Sequence, residues 1–164
     1  MAGHDPFRQM PVRLLGYGVP VGDLLSMTYG DVNASPFYLV GEFFIWGHCF
    51  HRALRAYNIS ENRFMSAFLP CYETNAVVAL FDTFIWEVLA SYLIPSLTST
   101  CVYWLVDSLL SGSTRSRSHR PIPFLFALIT IPLLRATVDQ GVDRLMHELI
   151  RPMYATKGDI LASF

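Results

Sequence analysis

Three stretches of the chain are apolar over nearly the length that a membrane-spanning helix needs. The first covers residues 36–57, and its basic and histidine side chains are confined to the second half. The second covers residues 76–97, and the third covers residues 121–134 and carries no charge. The third stretch extends to residue 138 if the side chain of Arg135 reaches the membrane surface. Because a spanning helix needs about 20 apolar residues, the pattern predicts about three transmembrane helices.

Two weaker patterns follow the second and third stretches. Pro95 is expected to kink or end the second helix. Apolar character resumes at residues 101–110, which fit a continuation of that helix, an interfacial helix or a re-entrant segment. Beyond residue 138, apolar side chains recur at three- and four-residue steps as far as Met153, with Asp139 and Asp143 on the other side. This spacing predicts a C-terminal amphipathic helix that lies on the membrane or against a partner.

The chain is therefore expected to be an all-α membrane protein in three parts. Residues 1–33 form an interfacial N-terminal arm, since four glycines between positions 16 and 30 disfavour one long helix. Residues 34–154 form a helical membrane domain with a polar connector at 58–75 and a loop, SGSTRSRSHR, at 111–120. Residues 155–164 form a C-terminal tail.

Composition supports contact with an apolar environment. Hydrophobic residues make up 52% of the chain and charged residues 15%, against about 25% charged residues in typical globular proteins. A soluble surface needs more charge than this, so the chain is expected to contact membrane lipid, a partner protein, or both. The net charge of −1 argues against nucleic acid as a partner, because nucleic-acid binding needs a strongly positive surface.

The sequence contains no recognisable catalytic motif. It lacks a GxSxG elbow, an HExxH pair and a phosphate-binding glycine loop, so we expect no enzymatic activity, no cofactor and no small-molecule substrate. The only ligand-like cluster is His48, Cys49 and His51, with Glu42 nearby. A metal site needs three or four convergent ligands, so we interpret these histidines as interfacial or hydrogen-bonded and predict no metal.

Carboxylates inside the second apolar stretch are more informative about helix packing than the histidine cluster. Asp82 and Glu87 lie within it, and Asp107 lies in its continuation. A charge at the bilayer centre costs on the order of 3 kcal/mol, so each carboxylate should pair with Arg or His or stay protonated. Asp82 and Trp86 are four residues apart and share one helix face, which is expected to face the bundle or a partner. Three spans without an inverted repeat do not favour a transporter.

Three motifs resemble those of the mitochondrial fission process protein family. They are RLLGY at 13–17 with VGD at 21–23, DTFIWEVLAS at 82–91 with IP at 94–95, and TIP at 130–132 with two hydrophobic–Asp steps. Glu87 departs from the second motif, where the family pattern has Gln. The residues that we take as the structural or interaction motif are Asp82, Thr83, Trp86, Pro95, Asp139 and Asp143.

The resemblance implies a multi-pass protein of the mitochondrial inner membrane, with about three spans and a role in fission and inner-membrane integrity. It supplies no catalytic residues. Membrane lipid and other inner-membrane proteins are the implied partners. The alternative hypothesis is an accessory (supernumerary) subunit of a large inner-membrane complex, such as a respiratory or ATP synthase assembly.

Overall fold

A computed structural model of the protein describes residues 5–30, 33–61, 69–111 and 121–154. Within these ranges the chain forms helices and no strands. The predicted loop beyond residue 111 and the predicted tail at 155–164 lie outside the described residues.

The described helices differ widely in length. Two short 3₁₀ helices, Pro6–Arg8 and Val12–Tyr17, precede α1 (Gly18–Tyr29), α2 (Ser35–Ser60) and the single turn α3 (Cys71–Thr74). Two long helices follow, each containing a wide π-helical stretch. They are α4, made of Ala76–Glu87, Val88–Leu93 and Ile94–Ser111, and α5, made of Pro121–Leu145, Met146–Ile150 and Arg151–Tyr154.

Local sequence explains several helix ends. The side chain of Asn75 accepts hydrogen bonds from the backbone N–H groups of Val77 and Val78 and caps the start of α4. Gly30 ends α1 with a φ of 94°, a conformation that favours glycine. Pro121 begins α5, where the missing N–H of proline costs no hydrogen bond.

Pro95 does not end the second apolar helix. A proline at this position cannot bond the carbonyl of Ser91, and its ring would crowd that carbonyl in a regular α-helix. The π-helical stretch Val88–Leu93 widens the helix immediately before it, and α4 then runs on to Ser111. Residues 101–110 are therefore a continuation of the same helix. The same combination recurs in α5, where Met146–Ile150 precedes Pro152.

Two of the helices are long and apolar enough to cross a membrane. They are Ala76–Leu110 in α4 and Pro121–Tyr154 in α5. The two run antiparallel, since Tyr103 shares a core cluster with Ala127 and Ile131 while Trp86 packs with Val142 and Met146. These two cores hold the pair together along its length.

The third predicted span corresponds to α2, which has 26 residues and is not among the helices apolar enough for a span. The average composition of α2 does not show that its two faces differ in polarity. The buried face includes His48, whereas large apolar side chains are exposed along the other face. These exposed residues are Phe43, Trp46, Phe50 and Leu54.

The N-terminal arm is packed into the helical bundle. Arg13 and Leu24 are fully buried, and α1 crosses α2 at a pair of glycines. A Cβ atom on Gly18 would lie 2.4 Å from the carbonyl oxygen of Phe37, and one on Gly41 would lie 2.8 Å from the backbone nitrogen of Val19. Only glycine permits so close a backbone approach. Whether the arm also lies at the membrane surface stays a prediction.

The predicted amphipathic segment is the C-terminal half of α5. Its apolar residues divide between two faces, since Val142 and Met146 pack on Trp86 while Leu149 and Met153 are exposed. Its polar side is not solvated throughout. Asp139 and Asp143 accept hydrogen bonds from side chains of the bundle, because the N-terminal segment brings basic groups to that side of α5.

Candidate functional site: a buried ionic network

Arg13 lies at the centre of a network that joins the N-terminal segment to α4 and α5. Its side chain is fully buried. One terminal nitrogen, Nη1, lies 3.0 Å from Glu87 Oε2 and 2.5 Å from Ser91 Oγ, and Nη2 lies 3.0 Å from Asp139 Oδ1. Burial alone would lower the pKa of Arg13, but the charges of Glu87 and Asp139 raise it above its ordinary value. The guanidinium is thus fully charged and held by two carboxylates.

His48 of α2 connects the same network to the first residues of the chain. Its Nδ1 lies 2.5 Å from Glu87 Oε1, and its Nε2 lies 3.0 Å from Asp5 Oδ2. A neutral imidazole can donate from only one nitrogen, so both contacts are hydrogen bonds when both nitrogens carry hydrogen. Burial would raise the pKa of Asp5, but the hydrogen bond with His48 and nearby positive charges lower it to about 2. The ring of Phe7 stacks on the imidazole, with the ring centroids 5.0 Å apart.

Trp86 extends the network to α5. Its side chain is fully buried, and its indole Nε1 donates to Asp143 Oδ1 at 2.8 Å. The guanidinium groups of Arg8 and Arg13 lie 3.9 and 4.7 Å from the centre of the indole ring. Both distances fit cation–π contacts. Arg8 also pairs with Asp143 at 3.2 Å, so the indole and the carboxylate hold the same cation.

The network contains equal numbers of basic and acidic groups. The basic groups are Arg8, Arg13, His48 and Arg135, and the acidic groups are Asp5, Glu87, Asp139 and Asp143. With His48 protonated the formal charges cancel. Buried charges are tolerated when they are paired and hydrogen-bonded, and this balance allows a polar core inside an otherwise apolar bundle.

A second, smaller cluster is centred on Asp82. Arg151 donates from Nε and Nη2 to the two carboxylate oxygens at 3.0 and 3.1 Å, and the hydroxyl of Tyr154 also donates to the carboxylate. Two parallel bonds of this kind are the strong, geometrically specific form of an arginine–carboxylate pair. Arg151 also lies over the ring of Tyr72, 4.4 Å from its centre. Asp82 thus faces the bundle, which is one of the two orientations that its helix face was expected to take.

The residues of the predicted motif occupy four different settings. The central network contains Trp86, Asp139 and Asp143. The smaller cluster contains Asp82, whose partners Arg151 and Tyr154 also lie on α5. Thr83 is buried and donates to the carbonyl of Ala79 in its own helix at 2.8 Å. Pro95 is buried next to the π-helical stretch and contributes no hydrogen bond donor.

Sequence reasoning did not identify the basic partners. Arg8 and Arg13 were not assigned to Glu87, Asp139 or Asp143, because the partners are separated by up to 135 positions. Arg135 pairs with Asp139 only four positions away, and this local pair was not identified either. The sequence signals were the RLLGY motif, which contains Arg13, and the four-residue spacing of Arg135 and Asp139 on a helix. Glu87 was recognised as a carboxylate needing an Arg or His partner, and it contacts both. Asp107 forms no ion pair with any residue that the structure describes.

The candidate metal ligands do not converge on one point. Both ring nitrogens of His48 face carboxylates, Cys49 is buried, and Glu42 is exposed. The described ranges contain no group of three or more side chains that could hold a metal ion. The chemistry of the site is therefore that of a closed set of ion pairs that fixes the helices relative to one another.

Comparisons with known proteins give one consistent result. The chain is 30% identical to mitochondrial fission process protein 1 of Danio rerio over 159 residues, which cover 92% of this chain and 89% of the relative. It is 28% identical to the protein of that name from Homo sapiens, over 96% of this chain and 92% of the relative. The Caenorhabditis elegans protein of that name is 26% identical, over 92% and 89%. No family model and no solved structure matches the chain.

Proposed function

The chain belongs to the mitochondrial fission process protein family, and we propose that it is a non-enzymatic, multi-pass protein of the mitochondrial inner membrane. Its proposed role is structural, in inner-membrane organisation or fission. The observation that carries the proposal is the sequence relationship over 92% of the chain. The name of the relatives supplies the process, and the apolar helices α4 and α5 support the membrane setting.

The ionic network supports a structural role over a catalytic one. Its acidic and basic groups are directed at one another, and the side chain of Arg13 and that of Glu87 are closed off from solvent. A catalytic group needs access to a substrate in a cleft. We therefore propose that the network holds the N-terminal segment, α2, α4 and α5 in one arrangement. The contacts with lipid or partner proteins are then made by the outer surface of this bundle.

We propose that α2 is the third span. Its overall composition is less apolar because inward-facing polar side chains, including His48, dilute the average. Lipid contacts only the outer face, and that face carries large apolar side chains from Phe43 to Leu54, with one charged side chain, Glu42, exposed at the N-terminal end of this series. Intramembrane ionisable residues that face a bundle interior are compatible with a span.

The membrane assignment is tested by alkaline carbonate extraction of mitochondria from cells that express the protein. A protein with spans at α4 and α5 stays in the membrane pellet. Protease treatment of mitochondria with intact and with ruptured outer membranes then separates the two membranes, because an inner-membrane protein becomes accessible only after rupture. Quantitative release by carbonate would contradict the spans, and digestion in intact mitochondria would contradict the inner membrane.

The role in fission is tested by depleting the protein in cells of its own organism. Loss of a protein that promotes fission is expected to lengthen the mitochondria, and re-expression of the wild-type chain should restore their length. Unchanged mitochondrial length after complete depletion would contradict this role.

An accessory subunit of a large inner-membrane complex is the second proposal, and one feature of α5 favours it. Near its C-terminal end, the exposed Leu149 and Met153 lie among the exposed side chains of Arg144, His147 and Glu148. Lipid solvates such a mixed face poorly, whereas a protein partner can match both kinds of group. Co-purification in mild detergent followed by mass spectrometry decides between the proposals, since a subunit elutes with a stoichiometric complex.

A further inference from the structure

A cleft between α1, the start of α2 and the middle of α4 is separate from the ionic network. It has a volume of about 350 Å³, which is within the range of small-ligand sites. Asp23 lies in it, with Tyr38 and Ser96 donating hydrogen bonds to its two carboxylate oxygens at 3.0 and 2.7 Å. These bonds hold the carboxylate in a fixed orientation.

Asp23 differs from the other carboxylates that are hydrogen-bonded within the bundle. Each of the others lies within 3.2 Å of a basic side chain, and they are Asp5, Asp82, Glu87, Asp139 and Asp143. Asp23 has hydroxyl partners but no cation among the residues that the structure describes. A half-buried carboxylate with neutral donors and no counter-ion is a site that a cation can complete.

The rest of the cleft suits the other parts of a lipid. The hydroxyl groups of Tyr92 and Thr100 line it and form no hydrogen bond with the described part of the chain, so they can donate to a phosphate oxygen. The exposed side chains of Met27, Leu93 and Leu97 also line the cleft. They offer an apolar surface to an acyl chain that enters from the bilayer.

We propose that this cleft binds one membrane lipid with a primary ammonium head group, of the phosphatidylethanolamine type. The ammonium group donates to Asp23, the phosphate accepts from Tyr92 and Thr100, and an acyl chain lies along Leu93 and Leu97. Choline lipids fit less well, because a quaternary ammonium has no N–H to donate. Phosphatidylglycerol carries no positive charge for the carboxylate. This site rests on the proposed membrane setting of α4 and not on the proposed role in fission.

The test is native mass spectrometry of the full chain, purified in nonionic detergent and titrated with lipids of matched acyl chains. Phosphatidylethanolamine should be retained more strongly than phosphatidylcholine or phosphatidylglycerol. Asp23→Asn should lower its retention roughly tenfold, the effect of losing one charge-assisted contact, and remove the preference. Asp107→Asn, which changes a carboxylate of α4 that does not line the cleft, should leave the preference unchanged.

A second variant distinguishes loss of the lipid site from loss of folding. Leu97→Trp fills the cleft from an exposed position and leaves the carboxylate intact, so it should also lower phosphatidylethanolamine retention. Thermal unfolding followed by tryptophan fluorescence identifies the variants that remain folded. Equal retention of the three lipids by the wild-type chain would overturn the proposal, and so would unchanged retention in both folded variants.

Discussion

At the scale of single residues, Arg13 is the side chain on which most of the network depends. It contacts Glu87, Ser91 and Asp139 from a fully buried position. Removing one partner from a buried ion pair leaves the other charge unpaired and typically costs about 3–5 kcal/mol. We expect Arg13→Ala to lower the free energy of unfolding by this amount in denaturant titrations of the detergent-solubilised protein.

The control for this variant is Arg144→Ala, since Arg144 is exposed on α5. Exposed substitutions usually change stability by within about 0.5 kcal/mol. Equal losses from the two variants would mean that burial and pairing do not set the importance of Arg13.

Glu87 provides a second residue-scale prediction, because the motif that residues 82–91 resemble is expected to have Gln at this position. In Glu87→Gln, the amide oxygen can still accept from Arg13, and the amide N–H can donate to Nδ1 of a neutral His48. Every pairing is thus replaced by a hydrogen bond. We expect a loss of about 1 kcal/mol, smaller than that of Arg13→Ala in the same titration, and a loss as large as that of Arg13→Ala would contradict this account.

Asp5 predicts how stability depends on pH. Its pKa in the folded protein is about 2, below the ordinary value of 3.8, so its ionised form contributes stability that is present above about pH 3.8. That contribution is lost as the pH falls through about 2. The difference in unfolding free energy between the wild type and Asp5→Asn should therefore be constant between about pH 5 and 6, below the ordinary histidine pKa of about 6.5, and disappear between about pH 4 and 2. A difference that already vanishes above pH 5 would point to another group.

At the scale of elements, the crossing of α1 and α2 depends on two glycines. Because a Cβ atom on Gly18 or Gly41 would meet backbone atoms at 2.4–2.8 Å, neither position can relax by moving a side chain. Gly18→Ala and Gly41→Ala should each separate the helices. We expect each to lower the free energy of unfolding by more than about 3 kcal/mol, the upper end of the usual range for overpacking.

Gly141 is the matched control for these variants. It lies within α5, and a Cβ atom there would meet nothing within 4 Å. Alanine is favoured over glycine in a helix by about 1 kcal/mol, so Gly141→Ala should leave stability unchanged or raise it in the same assay. A loss from Gly141→Ala would show that glycine serves another purpose in this protein.

At the scale of the whole molecule, the three tryptophans report on which surfaces meet lipid. Trp46 on α2 is 48% exposed, Trp104 on α4 is 59% exposed, and Trp86 is fully buried. In variants with a single tryptophan, reconstituted with lipids brominated on their acyl chains, the fluorescence of Trp46 and Trp104 should be strongly quenched. That of Trp86 should be quenched little.

The same measurement separates two spans from three. Quenching of Trp46 to the level of Trp104 is expected if α2 crosses the bilayer. If Trp46 is quenched no more than Trp86 while Trp104 responds, α2 lies outside the hydrocarbon region and only α4 and α5 remain as spans.

Sequence patterns alone determined the helical character of the chain and the position of its apolar helices. The predicted starts of the second and third apolar stretches, at residues 76 and 121, coincide with the starts of α4 and α5. The reason is that helix starts depend on neighbouring residues, here the cap at Asn75 and the proline at 121. The need of Asp82 and Glu87 for partners also follows from their apolar surroundings, because an unpaired buried charge is costly wherever the chain folds.

Only the tertiary structure decided which groups meet. Arg13 pairs with Glu87 and Asp139, which lie 74 and 126 positions away, and no local pattern relates residues so far apart. The continuation of α4 beyond Pro95 likewise depends on the π-helical stretch before it, which the presence of a proline in the sequence does not predict. Helix propensity and hydropathy act over a few neighbouring residues, whereas the pairing of charges depends on how whole helices pack. The long-range partners in the network therefore became identifiable only once the bundle had brought its helices together.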